Sequence, residues 1–159
     1  MSTWRDPSLW AKWIRGDDCP ICRSVATSAS LAELEVTRLM MQEDAPMRGY
    51  AWMPVRRHVI ELHDLTEAEA SAFMRDVRRV SRAVAAATGA VKLNYEIHGN
   101  TVPHLHLHLF PRYSGDPFEG GPVNPGIIRQ PVYRPGEFSL IQERVLGELA
   151  RDAAGEAAP

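Results

Sequence analysis

No apolar run in the 159 residues approaches the roughly 20 needed to span a bilayer, so neither a membrane anchor nor a membrane partner is expected. Met1 to Trp13 is mixed, charged and tryptophan-rich, unlike a basic start followed by an apolar run; no secretory leader is expected and the expected compartment is the cytoplasm. An excess of positive charge is missing as well. The formal net charge of -2 is poorly suited to a broad surface against a nucleic-acid backbone, so nucleic acid is not an expected partner, whereas a small anion met by local arginines is. Cysteine occurs twice, at Cys19 and Cys22 in DDCPIC. A disulfide is not expected in a reducing compartment, and a redox CxxC would need a thioredoxin-like order of elements that does not follow. Metal is the better reading, with a pair of small buried thiols as the alternative. Zinc takes four ligands of thiolate or imidazole character, so the pair leaves two to be found.

What the chain does contain suits a single domain over 1–159 with a sizeable core. Trp4, Trp10 and Trp13 fit a short amphipathic turn or helix and carry no expected function. Residues 30–42 have strand character, although 32–39 also suits a helix; with a turn at 43–46 and a strand at 50–55 they form an expected antiparallel hairpin. Thr66 and Glu69 make a capping box, and Phe73, Val77, Val80 and Val84 give one apolar stripe, predicting a helix from Thr66 to Thr88 that Gly89 ends. Its arginines are expected on a solvated face. A strand over 90–97 and a turn at His98 to Asn100 follow, with His98 expected to be simply exposed. Glycine and proline then crowd 114–136, predicting a long loop over a ligand or a dimer contact, before a terminal helix over 137–153 and a fraying end.

The run between Pro103 and Pro111, HLHLHLF, carries the chemistry. His104, His106 and His108 alternate with Leu105, Leu107 and Leu109, so an extended chain puts the imidazoles on one face and the leucines on the other. A helix would scatter both sets. Three readings compete. A solvated polar stripe is the plainest, and a zinc triad is hampered because alternate side chains of a straight strand run parallel. The reading favoured is nucleophilic attack on phosphorus by one neutral imidazole, with its neighbours handling charge and protons.

The stretch NYEIHGNTVPHLHLHLFPRY, from Asn94 to Tyr113, resembles the signature of the histidine triad (HIT) superfamily of nucleotide hydrolases and transferases, in which His-x-His-x-His precedes two apolar residues, here Leu109 and Phe110. The likeness extends weakly over about 18–113 and points to the zinc-site-bearing bacterial-type branch. It implies an α+β fold: a mainly antiparallel sheet of about five strands, one long helix on its face, a C-terminal helix and a homodimer. It also implies that Cys19 and Cys22 are completed as a structural zinc site by His58 and His104, and that no catalytic cofactor is needed.

By the same resemblance His106 is the nucleophile, His108 steadies the phosphoryl oxygens, and Thr101, Asn94, Gly99 and Asn100 contact the phosphate. Gln42 stands where an aspartate usually holds the ribose hydroxyls, with Glu43 and Asp44 beside it. Asn100 replaces the usual glutamine in a loop one residue shorter than in many relatives. Leu39, Met41 and Trp52 are candidates for pocket walls or core. The implied activity is cleavage at the α-phosphorus of a nucleoside phosphoanhydride or phosphoramidate through a nucleotidyl-histidine. Phosphorolysis of dinucleoside polyphosphates is one alternative; a zinc-stabilised nucleotide-binding or interaction protein with little turnover is another.

Overall fold

The computed structural model describes residues 3–27, 30–124 and 131–155. Two short helices, α1 (Pro7–Ile14) and α2 (Pro20–Thr27), precede strands β1 (Ala32–Glu33), β2 (Arg38–Met41) and β3 (Ala51–Pro54). Helix α3 (Glu67–Thr88), strands β4 (Lys92–His98) and β5 (His106–Arg112), and helix α4 (Glu137–Ala153) complete the order. The five strands form one antiparallel sheet, β1-β2-β3-β5-β4, so β5 is interior and β4 is an edge. This is the α+β arrangement expected, down to the strand number.

Helix α3 starts and stops as its caps dictate. Thr66 accepts from the Glu69 N–H while the Glu69 carboxylate accepts from the Thr66 N–H, and Gly89, at φ 67°, closes the last turn onto Ala85. Phe73, Val77, Val80 and Val84 pack with Leu105, Leu107 and Leu109 of the opposing sheet face, and α4 adds Ile141, Val145 and Leu149 from the other side of α3. This burial anchors β5, with its imidazoles directed away from the core.

Three expectations need correction. The strand expected over 30–42 is broken at 34–37, where buried Asp76 of α3 accepts from the N–H groups of Glu35, Val36 and Thr37 and from the Thr37 hydroxyl at 2.9 to 3.1 Å. A carboxylate that far along the chain gives the turn its partners. The α3 arginines are not merely solvated: Arg75 pairs with Glu35, and Arg79 and Arg82 both reach Asp152 of α4. The triad strand begins at His106 and runs through Pro111 to Arg112 instead of being bracketed by prolines. Backbone polar groups alternate sides along it; Leu105 bonds toward Val55 and Val59, and the Arg112 carbonyl toward Val91 on the β4 side. Pro111 therefore turns its donorless nitrogen toward the β3 flank, where β3 starts only opposite Leu109.

Of the loop expected over 114–136, residues 125–130 lie outside the described residues, as does the chain end at 156–159. The described part is turns. The Arg112 guanidinium folds it back, pairing with Asp116 at 2.8 Å and donating to the carbonyls of Phe118 and Gly121.

Candidate active site and metal centre

Strand β5 places His106 and His108 side by side, with ring centres 4.7 Å apart. The His106 Nδ1 lies 2.6 Å from the backbone carbonyl of His104. A carbonyl only accepts, so Nδ1 carries the proton and Nε2 keeps a lone pair. Burial pushes the His106 pKa below the usual imidazole value, against the pull of that hydrogen bond, so the ring favours its neutral form. Burial, with the charges of His106 and His98 adding to it, pushes His108 down to about 4. Its Nδ1 lies 2.7 Å from the Tyr50 hydroxyl. Burial raises the tyrosine pKa, keeping a proton on that oxygen; donated to Nδ1, it leaves His108 with an Nε2–H.

These rings line a cleft of about 720 Å³, within the size range of small-molecule sites. Gly99, Asn100 and Thr101 of the β4–β5 connection line it as well, as does Gln42, just past the end of β2, whose amide nitrogen donates to the Asp44 carbonyl at 2.8 Å. Glu43 and Asp44 are not among the lining residues. Asn94 is not brought to the cleft. It faces the same way as the histidines but pairs with Phe110, two rungs past His108 and four from His106, and borders a separate depression with Arg112 and Tyr113. Leu39 belongs to the core and Met41 packs on its margin, while Trp52 stands edge-on to His106 at 6.1 Å between ring centres.

Several cleft residues escape the sequence reading, Tyr50, Glu96 and His98 among them. Tyr50 precedes β3 and reaches His108 only because β3 pairs with β5. His98 is not a turn residue: β4 runs through it, His98 pairs with His106 across the strands, and its ring centre is 5.7 Å from that of His108. The signal was present in the alternation Asn94, Glu96, His98, which an antiparallel partner to His106 and His108 carries onto their face.

At the other end of the histidine run the four expected ligands meet. Cys19 immediately precedes α2 and Cys22 lies in its first turn, with Pro20 as the first helical residue. The Nδ1 of His104 is 3.6 Å from the Cys19 sulfur and 3.4 Å from that of Cys22; the His58 Nδ1 is 3.4 Å from Cys22 and 3.3 Å from His104 Nδ1. Tetrahedral zinc with ordinary bond lengths puts nitrogen and sulfur about 3.6 Å apart and two nitrogens about 3.3 Å apart. All four ligand atoms fall within 4.8 Å of one another, so the cluster is placed to hold one metal ion. Both rings aim Nδ1 inward and anchor Nε2 outside, His104 on the Val55 carbonyl at 2.8 Å and His58 on that of Ile14 at 3.1 Å. Burial pushes the Cys22 thiol up to about 11, with neighbouring Cys19 adding to it, and His104 down to about 4. A cation among the four would offset the cost of thiolate charge.

The HIT domain model matches residues 23–115, more than half of the chain. The chain belongs to the HIT domain family. Its fold is shared by a histidine triad protein of Bradyrhizobium japonicum, at a TM-score of 0.69 and 26% identity, covering 80% of this chain and 94% of that one. A zinc-bound histidine triad family protein from Mycobacterium smegmatis matches at 0.63 and 24% identity over 87% and 97% of the two chains. A hypothetical histidine triad nucleotide-binding protein from Sulfolobus tokodaii matches at 0.64 and 18% identity over 84% and 93%. No curated protein matches the chain. Membership in the HIT family supports nucleotide-related hydrolase or transferase activity in general. No described helix of this HIT protein is long and apolar enough to cross a membrane.

Proposed function

We propose that this HIT protein hydrolyses a nucleoside phosphoanhydride or phosphoramidate at its α-phosphorus, through a nucleotidyl-histidine, and releases a nucleoside monophosphate. The observation that carries the reading is the 2.6 Å contact from His106 Nδ1 to the His104 carbonyl, which leaves Nε2 as the basic nitrogen of a neutral ring beside a cleft. His106 Nε2 attacks phosphorus and the leaving group departs with the bonding pair; water then attacks, and the pair of the N–P bond returns to the ring. His108, with Nε2–H set by Tyr50, donates to a phosphoryl oxygen. Thr101 and the backbone at Gly99 and Asn100 stand along the same cleft to bind phosphate, with Gln42 at the ribose end. Asn94 receives no role. Cys19, Cys22, His58 and His104 would hold a structural zinc, which ties α2 to the triad and takes no part in the chemistry.

The test is the intact mass of protein quenched shortly after mixing with adenosine 5'-phosphoramidate or a diadenosine polyphosphate. One adenylyl adduct, confined to His106, is expected. Neither adduct nor AMP would sink the hydrolase reading and favour a binding protein; AMP made only when phosphate is supplied would favour phosphorolysis.

The same reading includes a homodimer that continues the sheet past β4. That strand is an edge, and beneath it Met74, Val77, Tyr95, Ile97 and Leu107 line an apolar groove, with Tyr95 and Ile97 among the exposed large hydrophobics. Ile97→Glu is expected to shift the light-scattering mass from two chains to one. A monomeric parent protein rules the dimer out.

A further inference from the structure

Resting on that hydrolase reading, we infer that His98, held by Glu96, is the acid that protonates the leaving group and then the base that receives a proton from water. His98 Nε2 lies 2.9 Å from the Glu96 carboxylate, and both residues line the cleft that holds His106 and His108. The carboxylate takes the Nε2–H and leaves Nδ1 for exchange with substrate. The His108 ring contacts both neighbours, His106 at 4.7 Å and His98 at 5.7 Å between centres. His98 is also the cross-strand partner of His106, so a phosphoryl group seated over His108 lies beside both the nucleophile and a second ring that can carry a proton.

The other cleft groups are poorly suited to the task. His106 is committed to phosphorus. Tyr50 gives its proton to His108, and His108 offers a hydrogen bond to phosphoryl oxygen. The cost of departure makes the acid necessary, because an amine leaving as its anion is far too basic to go without a proton. In the first step the P–N bond of a phosphoramidate breaks, its pair stays on nitrogen, and that nitrogen takes the Nδ1 proton of imidazolium His98. In the second, neutral Nδ1 takes a proton from the attacking water as the N–P bond to His106 breaks. The ring is then imidazolium again, and substrate plus water has become nucleoside monophosphate plus amine.

Leaving-group dependence tests this. His98→Gln and Glu96→Gln are compared with the parent protein on adenosine 5'-phosphoramidate and on the p-nitrophenyl ester of AMP, whose phenolate leaves unaided. His98→Gln is expected to lower kcat/KM for the phosphoramidate by roughly 100-fold or more while changing the ester by less than about threefold. Glu96→Gln follows the same pattern, roughly tenfold against no change, as befits a residue that orients the acid. Retained ester hydrolysis also reports that the variants are folded. Equal losses on both substrates, or none on either, overturn the proposal while leaving the nucleotidyl-histidine reading intact. A parent protein inert to both substrates removes that reading and this inference together.

Discussion

Replacing His106 with glycine is expected to lower kcat/KM toward adenosine 5'-phosphoramidate by roughly 10⁴-fold or more, as loss of a covalent nucleophile does elsewhere. Few substitutes are available in the cleft. His108 directs its Nδ1 at Tyr50 and presents a protonated Nε2, and its pKa near 4 marks a weaker base, hence a weaker nucleophile, than an ordinary imidazole. Glycine leaves a space of imidazole shape beneath a carbonyl that has lost its donor. Free imidazole added to the variant can fill that space, donate to the His104 carbonyl and attack with its other nitrogen. The expected result is activity that rises with imidazole concentration, with adenosine 5'-phosphorimidazolide as a transient product. The measurement is steady-state turnover with and without imidazole. Activity within tenfold of the parent protein, untouched by imidazole, would mean that water attacks directly and His106 serves another purpose.

The features that the sequence made legible are periodic or local. The alternation of leucine and histidine predicts a strand and its two faces, and β5 with the residue before it buries Leu105, Leu107 and Leu109 while opening His106 and His108 to the cleft. The capping box at Thr66 and the stripe through Phe73 and Val84 predict α3 nearly to the residue, because caps and amphipathicity are written within one turn or two. The metal ligands were a different case. Spacing gave only Cys19 and Cys22; His58 and His104 followed from family likeness, and their meeting depends on α2 docking against the approach to β5.

The misses share one cause, a partner remote in sequence. The turn at 34–37 is organised by Asp76, which in sequence is one more acidic residue on a helix. Tyr50 becomes part of the site only when β3 and β5 are in register, and Asn94 leaves it for the same kind of reason, two rungs too far along β4. His98 looked like a turn residue because Gly99 and Asn100 follow it, and turn chemistry gave no way to tell that β4 continues one residue more. Register decides which face and which rung a side chain occupies, and tertiary pairing sets it.

Removal of metal is expected to cost several kcal/mol of stability, lowering Tm by roughly 10 to 20 °C at 2 to 4 °C per kcal/mol for a chain of this size. Zinc alone contributes more than that to a peptide that is unfolded without it, but this protein keeps the core of α3, α4 and the sheet. The damage should therefore begin locally, at α1 and α2, which the site fastens to the sheet through Cys19, Cys22 and the bond from His58 to the Ile14 carbonyl. Early proteolytic cleavage before β1 is expected in chelated protein and in Cys22→Ser. The sign of the pH dependence follows from Cys22. A thiol whose pKa in the metal-free fold is about 11 must lose its proton to bind, so affinity rises with pH over the neutral range and acid releases the ion. Activity should fall with the metal, though less than in His106→Gly, because the His104 whose ring enters the metal site is also the residue whose carbonyl holds His106. Metal content per chain, thermal melts with and without chelator across pH 6 to 8, and turnover at each point measure all three effects. One zinc per chain with a coupled loss is expected; protein that binds no zinc and melts at the same temperature with or without chelator would reduce Cys19 and Cys22 to a pair of small buried thiols.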